Sequence, residues 1–263
     1  MEVGKAFDNA IRVGWKNKKL WLFGIAATYS YSSTSDSDSY REIILPVIDN
    51  WAVFIFVGLL TATISSFFAF GLAKGCLRLI KGEEITFKGT LEDARYFFTR
   101  GLVISMVGTI AGIATIAIPA MAYSGLASFI DDPLWLIFLI SFPINVLIGF
   151  IIAISAAALV VHDISAGESL SRGWLSLRSN FGDWVSYWIR IFFVVLLYGI
   201  GLLVAGLVLV AVFVGLAFAI DWLAIVFAFI VGVPLAIIVA GVFSSANQIV
   251  WLQIYMEISG SKA

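Results

Sequence analysis

The only histidine, His162, stands next to Asp163, and an imidazole beside a carboxylate is the pair that a general base or a pH switch would use. A single histidine makes no metal site, and its place at the end of an apolar run suits a structural role at the water boundary. Glu83, Glu84, Glu92 and Asp93 form a second candidate, because paired carboxylates can hold a cation or share a proton. Lys81, Lys88 and Arg95 are interleaved with them at helical spacing, so a solvated, self-paired helix face is expected instead. Cys76 is alone, which removes disulfides and any Cys-x-x-Cys metal or redox motif. Glycine-rich phosphate loops, nucleophile elbows and metal-protease histidine pairs are absent from the sequence. The expectation is a protein without catalytic residues, cofactor or metal.

Two further sets bear on binding rather than catalysis. Lys16, Lys18, Lys19, Arg78, Lys81, Arg95 and Arg100 are candidates for contact with anionic lipid headgroups, each contributing ~1 kcal/mol near a charged membrane surface. The same residues also serve ordinary topology control. Inside the apolar runs lie Asn145, Asn247, Gln248 and several serines and threonines, which suit hydrogen bonds between helices. Pro119, Pro143 and Pro234 interrupt backbone donation there and should kink their helices. If those kinks open a cavity, Pro143, Asn145, Pro234, Asn247 and Gln248 border it, and such walls suit a lipid or another apolar molecule better than an ion.

The elements that must carry these residues follow from composition. The chain has 263 residues, of which 61% are apolar and 13% charged, and a soluble domain would carry roughly 25% charged residues. Mean hydropathy is +1.03. With 16 basic against 17 acidic residues there is no basic excess to suggest nucleic acid. Five runs contain no Asp, Glu, Lys or Arg: Trp51 to Ala73, Gly101 to Ile130, Leu134 to Val161, Ile191 to Ile220 and Trp222 to Met256. Each exceeds the ~18 residues that mark a membrane span, and none alternates as a barrel strand would. An all-α membrane fold is expected, because lipid offers no partner for unpaired backbone groups.

Leu20 to Tyr31 is too short to cross alone, but charge placement argues that it does so as part of a longer helix over about 13–31. With that crossing, 15 of the 16 basic residues fall on one side and only Arg41 on the other. The expected spans are then 13–31, 51–73, 101–123, 134–161, 191–215 and 222–243, the last continuing on the inner side to 257, with both termini cytoplasmic. Ser30 to Tyr40 reads as an outer loop, and Asp131, Asp132 and Asp221 as parts of outer turns. The nine tryptophans are expected as interfacial anchors.

A threefold plan underlies this layout. The polar segments Glu2 to Lys19, Thr86 to Arg100 and Glu168 to Asp183 each lead into an outward span, with starts spaced by 84 and 82 residues. The chain therefore reads as a single membrane domain over 1–263, with six transmembrane helices in three hairpins, each introduced by a cytoplasmic interfacial amphipathic helix. Phe87, Leu91, Ala94 and Phe98, and likewise Leu170, Trp174, Leu177 and Phe181, recur at helical spacing and should meet lipid or span ends.

The run from Val160 to Phe181, Val-Val-His-Asp-Ile-Ser-Ala-Gly-Glu-Ser-Leu-Ser-Arg-Gly-Trp-Leu-Ser-Leu-Arg-Ser-Asn-Phe, resembles the inner loop of a group of bacterial and archaeal multi-pass proteins. That group is similar to the membrane domain fused to some glycerophosphodiester phosphodiesterases. Ala246 to Glu257, with Trp251 and Tyr255, resembles its closing helix, and Ala10 to Leu20 its opening one. The resemblance covers the layout of the chain and implies a multi-pass fold. It brings no phosphodiesterase residue, because these residues do not include the soluble catalytic barrel. The functional expectation is a non-enzymatic membrane module of the cytoplasmic membrane that contacts lipids, with a protein partner or a second copy as further partners and no nucleic acid. A transporter or channel for a neutral or apolar solute is the alternative, and a lipid-headgroup enzyme a third.

Overall fold

The computed structural model describes residues 2–29, 51–126, 134–219, 226 and 228–261. In chain order these form α1 (Val3–Lys16), a 3-10 turn (Lys18–Leu20), α2 (Trp21–Tyr29), α3 (Trp51–Ile80) and α4 (Phe87–Leu126). There follow α5 (Leu134–His162), α6 (Ala166–Ser179), α7 (Phe181–Ala219), a π turn (Ala228–Gly232) and α8 (Val233–Ser259). The fold is 93% helix with no strand among the described residues. Five helices, α3, α4, α5, α7 and α8, are long and apolar enough to cross a bilayer. The expected outer loop over 30–40, Arg41, and the turns at Asp131, Asp132 and Asp221 lie outside the described residues.

Two of the expected helix boundaries come out differently. The segment over 13–31 is not one helix, because α1 ends at Lys16 and the chain turns before α2 begins. Asn17 makes the break: its side chain donates to the Val13 carbonyl at 2.8 Å, and its backbone N–H reaches Val13 O at 3.1 Å and Gly14 O at 3.2 Å. The Trp21 indole then donates to Gly14 O at 2.9 Å, tying the two helices at the elbow. The second interfacial segment, in contrast, is not a separate helix. The charged stretch from Phe87 runs unbroken into the apolar part of α4, a helix of 40 residues. At ~1.5 Å per residue this outruns ~30 Å of hydrocarbon, so its charged turns project past the apolar layer.

Small residues set how closely these helices approach. α2 and α8 approach backbone to backbone, and a Cβ placed on Gly24 would lie 2.8 Å from the Gly241 carbonyl oxygen. On the same seam a Cβ on Gly241 would lie 2.7 Å from Trp21 Cβ. Gly71 of α3 faces Ala94 and Phe23, Gly101 of α4 faces the Phe70 ring, and Gly108 faces Ile152 of α5. α1 lays Val3, Phe7, Ala10 and Gly14 along one face, and Phe7 meets Phe243 of α8 at 5.6 Å and Tyr198 of α7 at 5.2 Å. Fully buried large side chains, including Phe7, Leu20, Phe23, Leu77, Phe97, Leu159, Trp184 and Leu252, gather toward the end of the bundle that holds the polar turns.

α7 departs from this pattern. No residue of its apolar window is buried, whereas the corresponding windows of α3 and α5 are each 39% buried. It meets α5 and α8 through aromatic rings near its start and α1 through Tyr198, while Leu197, Val204, Leu207 and Val210 stand exposed.

Candidate functional site

The polar end of the bundle collects most of the residues singled out in the sequence, and the structure separates them by what they touch. His162 and Asp163 do not act as a pair. The His162 ring lies edge-on to Tyr255 at 5.9 Å, and its Nε2 is 3.4 Å from Ser261 Oγ. Asp163 points to α4 instead, accepting from Arg100 at 2.8 Å and from the Tyr96 hydroxyl at 3.0 Å. Arg100 also donates to the Ile164 carbonyl at 3.0 Å, and its guanidinium lies 4.6 Å from the Tyr96 ring centroid.

The backbone explains why an aspartate sits at this turn. Asp163 has φ of 52°, a left-handed conformation that aspartate and asparagine tolerate better than most residues. That single residue ends α5, and two residues later Ser165 caps α6 by accepting from the Glu168 N–H at 3.2 Å. Burial works against ionisation of Asp163, but the hydrogen bonds from Arg100 and Tyr96 and the Arg100 charge outweigh it and hold the carboxyl below the ordinary carboxylate range.

The acidic group on the α3–α4 connection is likewise divided. Arg78 reaches Asp93 at 2.9 Å and Glu83 at 3.8 Å, while Lys88 and Glu92 form a looser pair at 3.9 Å one turn apart. Lys19 donates to the Ile85 carbonyl at 3.0 Å, fixing the α1–α2 elbow against this connection. Among the described residues no group of three His, Cys, Asp or Glu side chains comes together as a metal site.

The seven basic residues considered for headgroup contact therefore fall into two classes. Arg78 and Arg100 are half-buried in ion pairs, and Lys19, though exposed, donates to a backbone carbonyl. Lys16, Lys18, Lys81 and Arg95 are exposed and have no carboxylate within 4.0 Å among the described residues. Two of them flank exposed aromatic surface. Trp15 is 55% exposed and lies 5.6 Å from Trp21, with the Lys18 ammonium 6.0 Å from the Trp21 ring.

Among the described residues, the five expected to border a cavity make separate contacts. Asn145 of α5 donates to the Thr115 hydroxyl of α4 at 2.7 Å and to Ser141 O at 2.9 Å, and Ser141 donates to Thr115 O at 2.8 Å. That network joins α4 to α5. Pro143 is exposed within α5, Pro234 is exposed near the start of α8, and Asn247 and Gln248 are half-buried along α8. Proline at 234 has no N–H for the carbonyl four residues back, and the chain reaches it through the wider π turn.

A pocket that the sequence did not suggest lies elsewhere, between α5, α7 and α8. Val146, Gly149, Phe150, Ala153, Trp188 and Trp251 line about 220 Å³. Phe150 packs edge-on to Trp188 at 5.9 Å and to Trp251 at 6.2 Å, and Trp251 stacks on Trp184 at 6.0 Å. Trp184 is completely buried and donates to Ser176 Oγ at 3.2 Å, so it pins α6 to α7 and does not sit at a membrane surface as expected. Comparison with family models, curated proteins and solved structures gives no match for this chain.

Proposed function

We propose that this chain is a non-enzymatic integral membrane module of the cytoplasmic membrane, six helices in three hairpins, which binds anionic lipid headgroups through its polar end. The observation that carries this reading is the division of the cations. Those needed to hold helices together are paired with carboxylates or carbonyls, and Lys16, Lys18, Lys81 and Arg95 are left exposed. Free cations beside interfacial tryptophans are what a negatively charged surface attracts, each contributing ~1 kcal/mol before salt screening. The strong bias of Lys and Arg to one side of the six-span layout supports a cytoplasmic polar end with both termini there. The resemblance to the membrane domain of some glycerophosphodiester phosphodiesterases belongs to the same proposal, and it adds no catalytic residue.

Supporting the non-enzymatic reading, His162, Asp163 and the Glu83 group each face a different partner rather than a common cleft. The use of Asn145 in helix pairing takes support from a solute path. The test is lipid selectivity in nanodiscs of defined composition, read as the motionally restricted fraction of spin-labelled phosphatidylglycerol against phosphatidylcholine. A preference for phosphatidylglycerol that disappears in the combined variant Lys16→Gln, Lys18→Gln, Lys81→Gln, Arg95→Gln supports the proposal. Equal restriction of both lipids by the unaltered protein refutes it.

A further inference from the structure

We infer that the aromatic pocket between α5, α7 and α8 holds one acyl chain of a bilayer phospholipid. Its lining side chains are aliphatic or aromatic: Val146, Phe150 and Ala153 of α5, with Gly149, and Trp188 of α7 and Trp251 of α8. Phe150 is 8% exposed and forms the floor, whereas Trp188 at 36% and the exposed Gly149 stand at the mouth. The mouth is continuous with the bare apolar surface of α7, including Phe192, Leu196 and Ile200. Large rings bridge the three helices where close backbone packing would otherwise seal the gap.

The surroundings decide the occupant. α5, α7 and α8 are apolar enough to cross a membrane. Val146, Gly149, Phe150 and Ala153 lie within the span of α5 and open toward hydrocarbon. Trp188 and Trp251 stand at the inner boundary of the spans, where a lipid's chain meets its headgroup. A mostly apolar pocket gives water few partners, and unfilled space forfeits the dispersion contacts of its walls. At about 220 Å³ the pocket is smaller than the ~300 Å³ at which whole-ligand sites begin, which fits part of a flexible chain rather than a compact molecule. Counting ~1.5 Å per residue from His162, Phe181 and Ser259 places the lining ~10–24 Å along the helices, with Trp188 next to Arg190 at the headgroup end and Val146 deepest among the acyl chains. This site is separate from the basic rim and needs no charge on the lipid.

Gly149 gives a clean way to close it. A Cβ there meets nothing within 4 Å, so Gly149→Phe can project a ring into the pocket without striking the backbone. The full chain, extracted in mild detergent with phosphatidylcholine present, is examined by native mass spectrometry. We expect one phosphatidylcholine retained per chain through detergent washing, and a loss of at least ~10-fold in retention for Gly149→Phe and for Ala153→Leu. Retention that is equal in the variants and the unaltered protein overturns the inference, as does a lipid-free dimer in which a second copy fills the gap. Should both variants fail to fold, the unaltered protein still decides. Phosphatidylcholine brominated along its chain should quench a fluorescence component that Trp188→Phe removes, and no such component contradicts the site. Because the probe carries no net charge, failure here leaves the anionic-lipid selectivity of the basic rim standing, and the reverse also holds.

Discussion

Asp163 combines a backbone task with an electrostatic one, and substitutions can separate them. Asp163→Asn keeps a residue that tolerates the left-handed turn but removes the charge facing Arg100. Asp163→Val loses the charge and adds strain. We expect the asparagine variant to cost about 0.5–1 kcal/mol, since the ion pair is partly exposed, and the valine variant a further 1–2 kcal/mol, read from denaturation in a single detergent. The sign of the pH effect follows from the depressed carboxyl of Asp163. Its contribution is fully present above ~3.9, the unfolded carboxylate value, and is lost as pH falls through the lower folded value. Asp163→Asn should therefore remove part of the acid limb of the stability profile while leaving its slope near neutral pH unchanged. The sequence makes half of this turn legible. The polar segment read from Glu168 onward locates α6 roughly, whereas its start at Ala166, capped by Ser165, comes from the structure. The choice of Arg100 as the partner of Asp163 is not legible, because the neighbouring histidine looks equally suitable until the fold sends the two side chains in different directions.

At the level of helices, the long charge-free runs announce α3, α5, α7 and α8 because lipid permits no other backbone solution. What they conceal is where one helix stops and which faces meet. The α1–α2 break depends on Asn17 capping Val13 and on Trp21 folding back to Gly14, contacts that a lysine-rich stretch does not advertise. The apolar spacing of Leu170, Trp174, Leu177 and Phe181 points these residues toward lipid or span ends. Trp174 and Phe181 are indeed exposed, but Leu177 joins Ser169 and Gly173 on the buried face of α6. Close approach to α5 selects small residues there, with Gly173 facing Ser155 and the Ile151 carbonyl. The same logic predicts a contrast among glycines. Gly24→Val or Gly241→Leu should separate α2 from α8 and destabilise the protein by about 1–3 kcal/mol or more. Gly199→Ala and Gly206→Ala on α7, where a Cβ meets nothing, should leave the melting temperature unchanged or slightly raised. Asn145→Leu should cost on the order of 0.6–2 kcal/mol through the lost contact with Thr115, with no change in solute flux across vesicles.

Over the whole molecule, the buried core and the paired charges concentrate at one end, and the opposite half exposes apolar side chains along α7. The polar turn of α3–α4, the α5–α6 turn, the α1–α2 elbow and the end of α8 all share that end, as the contacts Lys19 to Ile85, Arg100 to Asp163 and His162 to Ser261 require. The lipid reading depends on this end lying on a single membrane surface, with its free lysines and arginine at the headgroups. Cysteine labelling tests that most directly, since Cys76 is buried and is the chain's only thiol. Single cysteines in place of Lys18, Lys81 and Arg178 are challenged with an impermeant maleimide in intact cells and in inverted vesicles. All three should react in inverted vesicles and stay unlabelled in intact cells. Labelling of Lys18→Cys from outside while Arg178→Cys reacts only from within would contradict the account.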